Sequence, residues 1–176
     1  MALTNYLIVP GLGNSGPEHW QTYFENLGDN FSRIEQKEWD APACKDWITN
    51  INARVLEFDP ASVVLIGHSL GCATIAHWAK EFGTVIKGAM LVAPSDLEAP
   101  RYNFPATGFN PIPLVRFNFK TLVVASSNDE WVTLERAQYF AKCWGSEFIN
   151  IGEAGHINAA SGHYRWDQGL EILKKI

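Results

Sequence analysis

The stretch that decides the fold is Ser62-Val-Val-Leu-Ile-Gly67-His68-Ser69-Leu70-Gly71, followed by Cys72-Ala-Thr-Ile75-Ala76-His-Trp-Ala79. It opens as a short, uninterrupted apolar run, the pattern of a strand covered on both faces. It closes on apolar residues at helical spacing: Cys72, Ile75, Ala76 and Ala79. Between them stands G-x-S-x-G, a turn tight enough that a side chain at either glycine would meet backbone. Strand, turn and helix in that order expose a serine hydroxyl above the sheet and point unpaired helix N–H groups at it. Ser69 is therefore the candidate nucleophile.

A serine hydroxyl needs a base, and on this type of frame the order along the chain is nucleophile, acid, histidine. Of the five histidines, His68 lies inside the turn, where its side chain is expected to face away from Ser69. His77 sits two turns into the helix, His19 precedes the nucleophile, and His163 lies near the last helix. His156, in Gly152-Glu-Ala-Gly-His-Ile-Asn158, follows the last apolar run on a glycine-containing loop and is the candidate general base. The acid is expected where Thr121-Leu-Val-Val-Ala-Ser-Ser127 runs into Asn128-Asp129-Glu130. Asp129 is the choice, to fix the histidine tautomer and stabilise its imidazolium; Glu130 and Asp96 are its rivals. For the oxyanion, the Leu70 amide and an amide of the first glycine-rich loop, Leu12 in Pro10-Gly-Leu-Gly-Asn14-Ser-Gly-Pro17, are the expected donors. As a dinucleotide signal that loop is weak, since no acidic residue closes a second strand about 20 residues on.

Working outward, apolar runs alternate with helical segments along the whole chain, the pattern of an α/β fold with a mostly parallel, doubly wound sheet. Strands are expected at Asn5–Val9, Ser32–Lys37, Ser62–Ile66, Lys87–Val92, Lys120–Ala125 and Glu147–Ile151, with the polar second one at an edge. Helices are expected at Glu18–Leu27, Cys44–Phe58, Leu70–Phe82, Thr133–Trp144 and Tyr164–Lys175. Right-handed crossovers give the strand order 2-1-3-4-5-6. The proline-rich stretch from Ala93 to Arg116 leaves the fourth strand beside the expected site. It reads as a substrate-facing wall, with Tyr102, Phe104 and Phe109 as lining candidates, joined by Asn14 and Trp131.

At 176 residues the chain suits one domain over residues 1–176. A net charge of −5, with the basic residues scattered, gives no reason to expect nucleic acid or an anionic membrane as partner. Met1-Ala-Leu-Thr-Asn5 lacks the basic and apolar regions of a secretory signal, and no apolar run approaches the ~20 residues of a membrane span. Three separated cysteines, without a C-x-x-C pair, read as free thiols in the cytoplasm. No metal or organic cofactor is expected.

Leu7-Ile-Val-Pro-Gly-Leu-Gly-Asn-Ser-Gly-Pro-Glu-His-Trp20, Gly67-His-Ser-Leu-Gly-Cys72, Ser127-Asn-Asp129 and Gly155-His-Ile-Asn158 together resemble the small YdeN-type serine hydrolases, a group that also contains the retinoblastoma-binding-protein-like hydrolases. The motifs fall in order across nearly the whole chain. The resemblance implies a minimal α/β-hydrolase core with no cap domain, and Ser69, Asp129 and His156 as triad. The expected reaction is hydrolysis of a small carboxylic ester, with thioester and amide open, through an acyl-enzyme. The rival class is a non-catalytic interaction protein on the same fold. Its L-x-C-x-E route finds only Leu70-Gly-Cys72-Ala-Thr74, which has threonine where glutamate is needed and lies in the nucleophile helix.

Overall fold

The computed structural model describes residues 3–176, so Met1 and Ala2 of the N-terminal run lie outside the described residues. Six parallel strands form one sheet: β1 (Asn5–Val9), β2 (Phe31–Arg33), β3 (Val63–His68), β4 (Gly88–Val92), β5 (Lys120–Ala125) and β6 (Glu147–Asn150). Their order is β2-β1-β3-β4-β5-β6, as the sequence predicts. The central strands are the apolar ones for a physical reason. β3 and β4 are buried along their whole length, whereas the edge strands β2 and β6 have no fully buried residue.

Helices cover both faces. On one face α2 (Cys44–Val55), α3 (Leu70–Phe82) and α4 (Leu134–Trp144) pack on Leu7, Leu65, Leu91 and Val123. On the other, α1 (Trp20–Glu25) and α5 (Asp167–Leu173) pack Trp20, Phe24 and Trp166 on Ile8, Ile66, Met90 and Val124. The buried set of α2, Cys44, Trp47, Ile48, Ile51 and Val55, is the i, i+3, i+4, i+7 stripe of an amphipathic helix. α3 and α4 stop at Gly83 and Gly145, both left-handed, where glycine carries no Cβ penalty.

Several boundaries differ from the periodicity. α1 is shorter than Glu18–Leu27 because His19 caps it, its imidazole accepting the Gln21 N–H at 3.1 Å. β2 stops at Arg33, before the expected Lys37; the Ile34 amide makes a last bond to the Ile8 carbonyl at 2.9 Å and its side chain is buried in the core. β3 starts after a 3₁₀ turn at Pro60–Ser62 and runs on to His68. α5 begins only at Asp167, behind a left-handed Trp166, not at Tyr164. Among the described residues no helix is long and apolar enough to cross a membrane, and no cap domain is inserted.

Candidate active site

At the end of β3 the chain turns through Ser69 with φ 56° and ψ −122°. A non-glycine residue there costs on the order of 1–3 kcal/mol, and such strain persists only where the surroundings impose it. They do so here. A Cβ on Gly71 would run into the Val9 carbonyl oxygen and meet that of Pro10 at 2.8 Å; one on Gly67 would meet Ile75 Cδ1 at 2.7 Å. β1 and its following loop are thus pressed against the start of α3. Gly11 shows the same approach, since a Cβ there would lie 2.9 Å from Ser69 Cβ and 3.3 Å from the Leu70 nitrogen. Neither the Leu12 nor the Leu70 amide has an acceptor among the described residues.

The loops after β5 and β6 bring the other two candidates together. His156 Nδ1 donates to Asp129, 2.9 Å from each carboxylate oxygen. The Asp129 side chain is fully buried, and its Oδ1 also accepts the Trp131 N–H at 2.8 Å. Asn128 ties the loops to each other, its Oδ1 accepting the Gly155 N–H at 2.7 Å, while Ser126 Oγ accepts that of Ala154 at 2.9 Å. The rival acids are engaged elsewhere: Glu130 pairs with Arg101 at 3.3 Å, and Asp96 with Arg136 at 3.3 Å.

Ser69 and His156 open on one cavity of about 270 Å³, which Leu12, Asn14, Tyr102, Phe104 and Trp131 also line. Phe109 does not. Contrary to the sequence expectation, it is buried against Trp47 and His77, because the second half of the proline-rich stretch turns into the core. Thr107 meets the start of α2 in a backbone bridge to Ala43, and Ile112 is buried too. The wall is therefore made by the first half of that stretch only.

Ser95, His19, His68 and Asn158 also line this cavity, and the sequence assigns none of them a role there. Ser95, on the loop leaving β4, hydrogen-bonds the Ser69 hydroxyl at 2.9 Å; among the described residues that is the hydroxyl's one side-chain partner. His68 turns its imidazole toward the other loop, where Nε2 donates to the His156 carbonyl at 2.9 Å and the two rings stand 4.9 Å apart. Trp20 donates to the next carbonyl, Ile157, at 2.8 Å. His19 packs on His68 with ring centroids 4.8 Å apart. The stretch that ends in His19-Trp20 and the stretch Gly155-His-Ile-Asn158 are thus brought into one contact, which only the fold reveals.

Burial, then the charge of Arg33, pushes the His19 pKa down to about 3; burial and the neighbouring imidazoles hold His68 well below the ordinary histidine value of 6.5. As pH falls through 6.5 the unfolded chain takes up protons at these positions and the folded chain does not. Stability present above about pH 6.5 is therefore lost toward pH 3, at up to about 1.4 kcal/mol per pH unit for His19 alone. Denaturant unfolding at several pH values should show this slope. It should flatten in His19→Asn, which keeps a capping side chain without the titration; an unchanged slope would remove His19 from the effect.

The chain matches the serine hydrolase family over residues 6–175. It is similar to a protein of Pectobacterium atrosepticum described as a YdeN-like hydrolase, with 36% identity and a TM-score of 0.86 over 98% of this chain and 90% of that one. The ydeN gene product of B. subtilis has the same fold, with a TM-score of 0.75 at 18% identity, covering 99% of this chain and 98% of that one. No curated protein matches the chain. A strained, glycine-flanked serine turn on a six-stranded parallel sheet, the family match and the near relative lead to one conclusion: this chain belongs to the serine hydrolase family and has the α/β-hydrolase fold.

Proposed function

We propose that the protein hydrolyses a small carboxylic ester through an acyl-enzyme on Ser69, the same machinery serving a thioester or amide. One observation carries the reading: a buried carboxylate holds His156 by Nδ1, on the cavity into which a strained elbow delivers Ser69. With Nδ1 donating to Asp129, a neutral His156 leaves Nε2 free to accept a proton.

The Ser69 hydroxyl gives up its bond to Ser95, transfers its proton to His156 Nε2, and its oxygen attacks the substrate carbonyl carbon. The Leu12 and Leu70 amides receive the developing oxyanion. Collapse breaks the carbon–oxygen bond to the alcohol, which leaves with the proton from His156. Water then gives a proton to His156 and its oxygen attacks the acyl carbon. The bond to Ser69 breaks, Ser69 recovers the proton, and the carboxylic acid departs. Asp129 keeps the imidazole oriented and balances its charge in both halves. The three free cysteines, Cys44 and Cys72 buried, support a reducing compartment, and we place the protein in the cytoplasm.

A fluorophosphonate probe tests the reading against a non-catalytic role. Labelling at Ser69, with turnover of short acyl esters, is the expected result; an unlabelled Ser69 and no turnover would reject the enzyme. The acid is tested separately. Asp129→Asn should lower kcat by roughly 10⁴-fold, the loss seen when a triad aspartate is so replaced, while Asp96→Asn should have a mild effect. The reverse ranking would move the acid one strand earlier.

A further inference from the structure

Asn14, His19 and Asn158 all line the cavity, and each has its side-chain accepting atom already occupied. Asn14 Oδ1 takes the Ser15 N–H at 2.8 Å and Arg33 Nη1 at 2.6 Å. His19 Nδ1 takes the Gln21 N–H at 3.1 Å. Asn158 Oδ1 takes the Ser161 N–H at 3.0 Å and its hydroxyl at 3.2 Å. What these side chains have left are N–H groups: the two amide NH₂ groups and, because the ring stays neutral with Nδ1 accepting, the His19 Nε2–H. None of the three finds an acceptor among the described residues. Nor are they sealed from water, since the sealed side-chain atoms without a hydrogen bond there are Arg136 Nε and Trp166 Nε1.

No free carboxylate balances these donors. Asp129 is fully buried and engaged by His156 and the Trp131 amide. Arg33, behind Asn14, is 7% exposed and brings a positive charge that Glu25 shares at 2.9 Å. The cavity is also lined by an aromatic cluster, with Phe104 and Trp131 ring centroids 5.4 Å apart and Tyr102 against both.

We infer that the substrate carries, beside its scissile ester, a group that only accepts hydrogen bonds, a carboxylate or a second carbonyl, bound by the side-chain N–H groups of Asn14, His19 and Asn158. The inference rests on the esterase reading and names its substrate class. A group with N–H donors, an ammonium above all, would leave the three donors unpaired and face Arg33.

The test is two sets of aryl and alkyl esters matched in length, one varied on the acyl chain and one on the alcohol. Each set ends in methyl, methyl ketone, carboxylate or ammonium. In at least one set the carboxylate or ketone should exceed the ammonium by roughly tenfold or more in kcat/KM, carried mainly by KM. Carboxylate above ketone identifies an anionic group, and equality a neutral carbonyl. Asn14→Asp and Asn158→Asp keep every internal bond made by Oδ1 and turn the cavity-side donor into an acceptor. Aspartate also tolerates the left-handed backbone of Asn14, φ 64°. Each change should lower the carboxylate-to-ammonium ratio by roughly tenfold, a ratio in which any general loss of turnover cancels. Binding of the corresponding unreactive ketones to Ser69→Ala gives the same ranking without catalysis, so failure of the esterase reading stays distinguishable. Equal or better use of ammonium in both sets, and equal or tighter binding of it, would overturn the inference.

Discussion

Replacing Ser69 with alanine is expected to lower ester hydrolysis by roughly 10⁶-fold, the scale of loss when a triad nucleophile is removed. The residual rate should not reach zero, because the Leu12 and Leu70 amides and the cavity walls remain, and such a site alone gives roughly 10³–10⁴-fold over water. The change removes one oxygen and leaves the Cβ, so the strain at φ 56° is unaltered and the fold should survive. The informative rival is Ser95. Its hydroxyl lies 2.9 Å from that of Ser69 and is itself almost wholly buried. Ser95 is not on the elbow, however, whereas Gly11 of the first loop packs directly against Ser69 and the Leu70 nitrogen. Labelling by a fluorophosphonate should therefore vanish in Ser69→Ala. Persistent turnover, or a label that moves to Ser95, would reassign the nucleophile.

The elements that were legible in sequence are those whose signal is local. Val63 to Ile66 has no room for polar residues because strands press on it from both sides and helices from above and below. Its apolar run could be read as a strand without knowing any neighbour. Asp129 and His156 stand out by their position after such runs, and the structure brings them into contact. Failures came where tertiary contact overrides local pattern. Phe109 looks like any other aromatic of the proline-rich stretch, and only the bridge from Ala43 to Thr107 explains why it turns inward. Chain order excludes His19 as the base, since it precedes Ser69, but that order says nothing about a residue acting by its packing. His68 sits beside Ser69 in sequence, yet its partner is a carbonyl 88 residues away. Ser95 carried no motif at all; its relation to Ser69 arises because β4 lies next to β3, so their exit loops meet. The sequence neighbours of His19 and His68 offer no apolar pattern that would pair them: His19 lies between Glu18 and Trp20, and His68 between Gly67 and Ser69.

His156→Ala is expected to cost about as much as loss of the nucleophile, roughly 10⁶-fold, and to abolish the pH dependence as well. The base must be neutral to accept the Ser69 proton, so kcat/KM of the wild type should fall on the acid side with the uptake of a single proton. The protein holds five histidines, which makes the assignment of that limb a real question. Burial pushes His77 and His163 below the ordinary histidine value, and holds His19 near 3 and His68 lower than ordinary as well. A limb near neutrality would thus not be theirs. The limb should survive in His19→Asn and His163→Asn and disappear, with nearly all activity, in His156→Ala. Acid unfolding is separable, because the His19 and His68 linkage predicts stability loss toward pH 3 whether or not His156 is present. Far-UV circular dichroism at each pH, read beside kcat/KM, distinguishes the two. A flat profile in the wild type, or an intact limb in His156→Ala, would take His156 out of the proton transfer. The Ser69–His156–Asp129 arrangement would then be a structural contact beside a site that runs on another base.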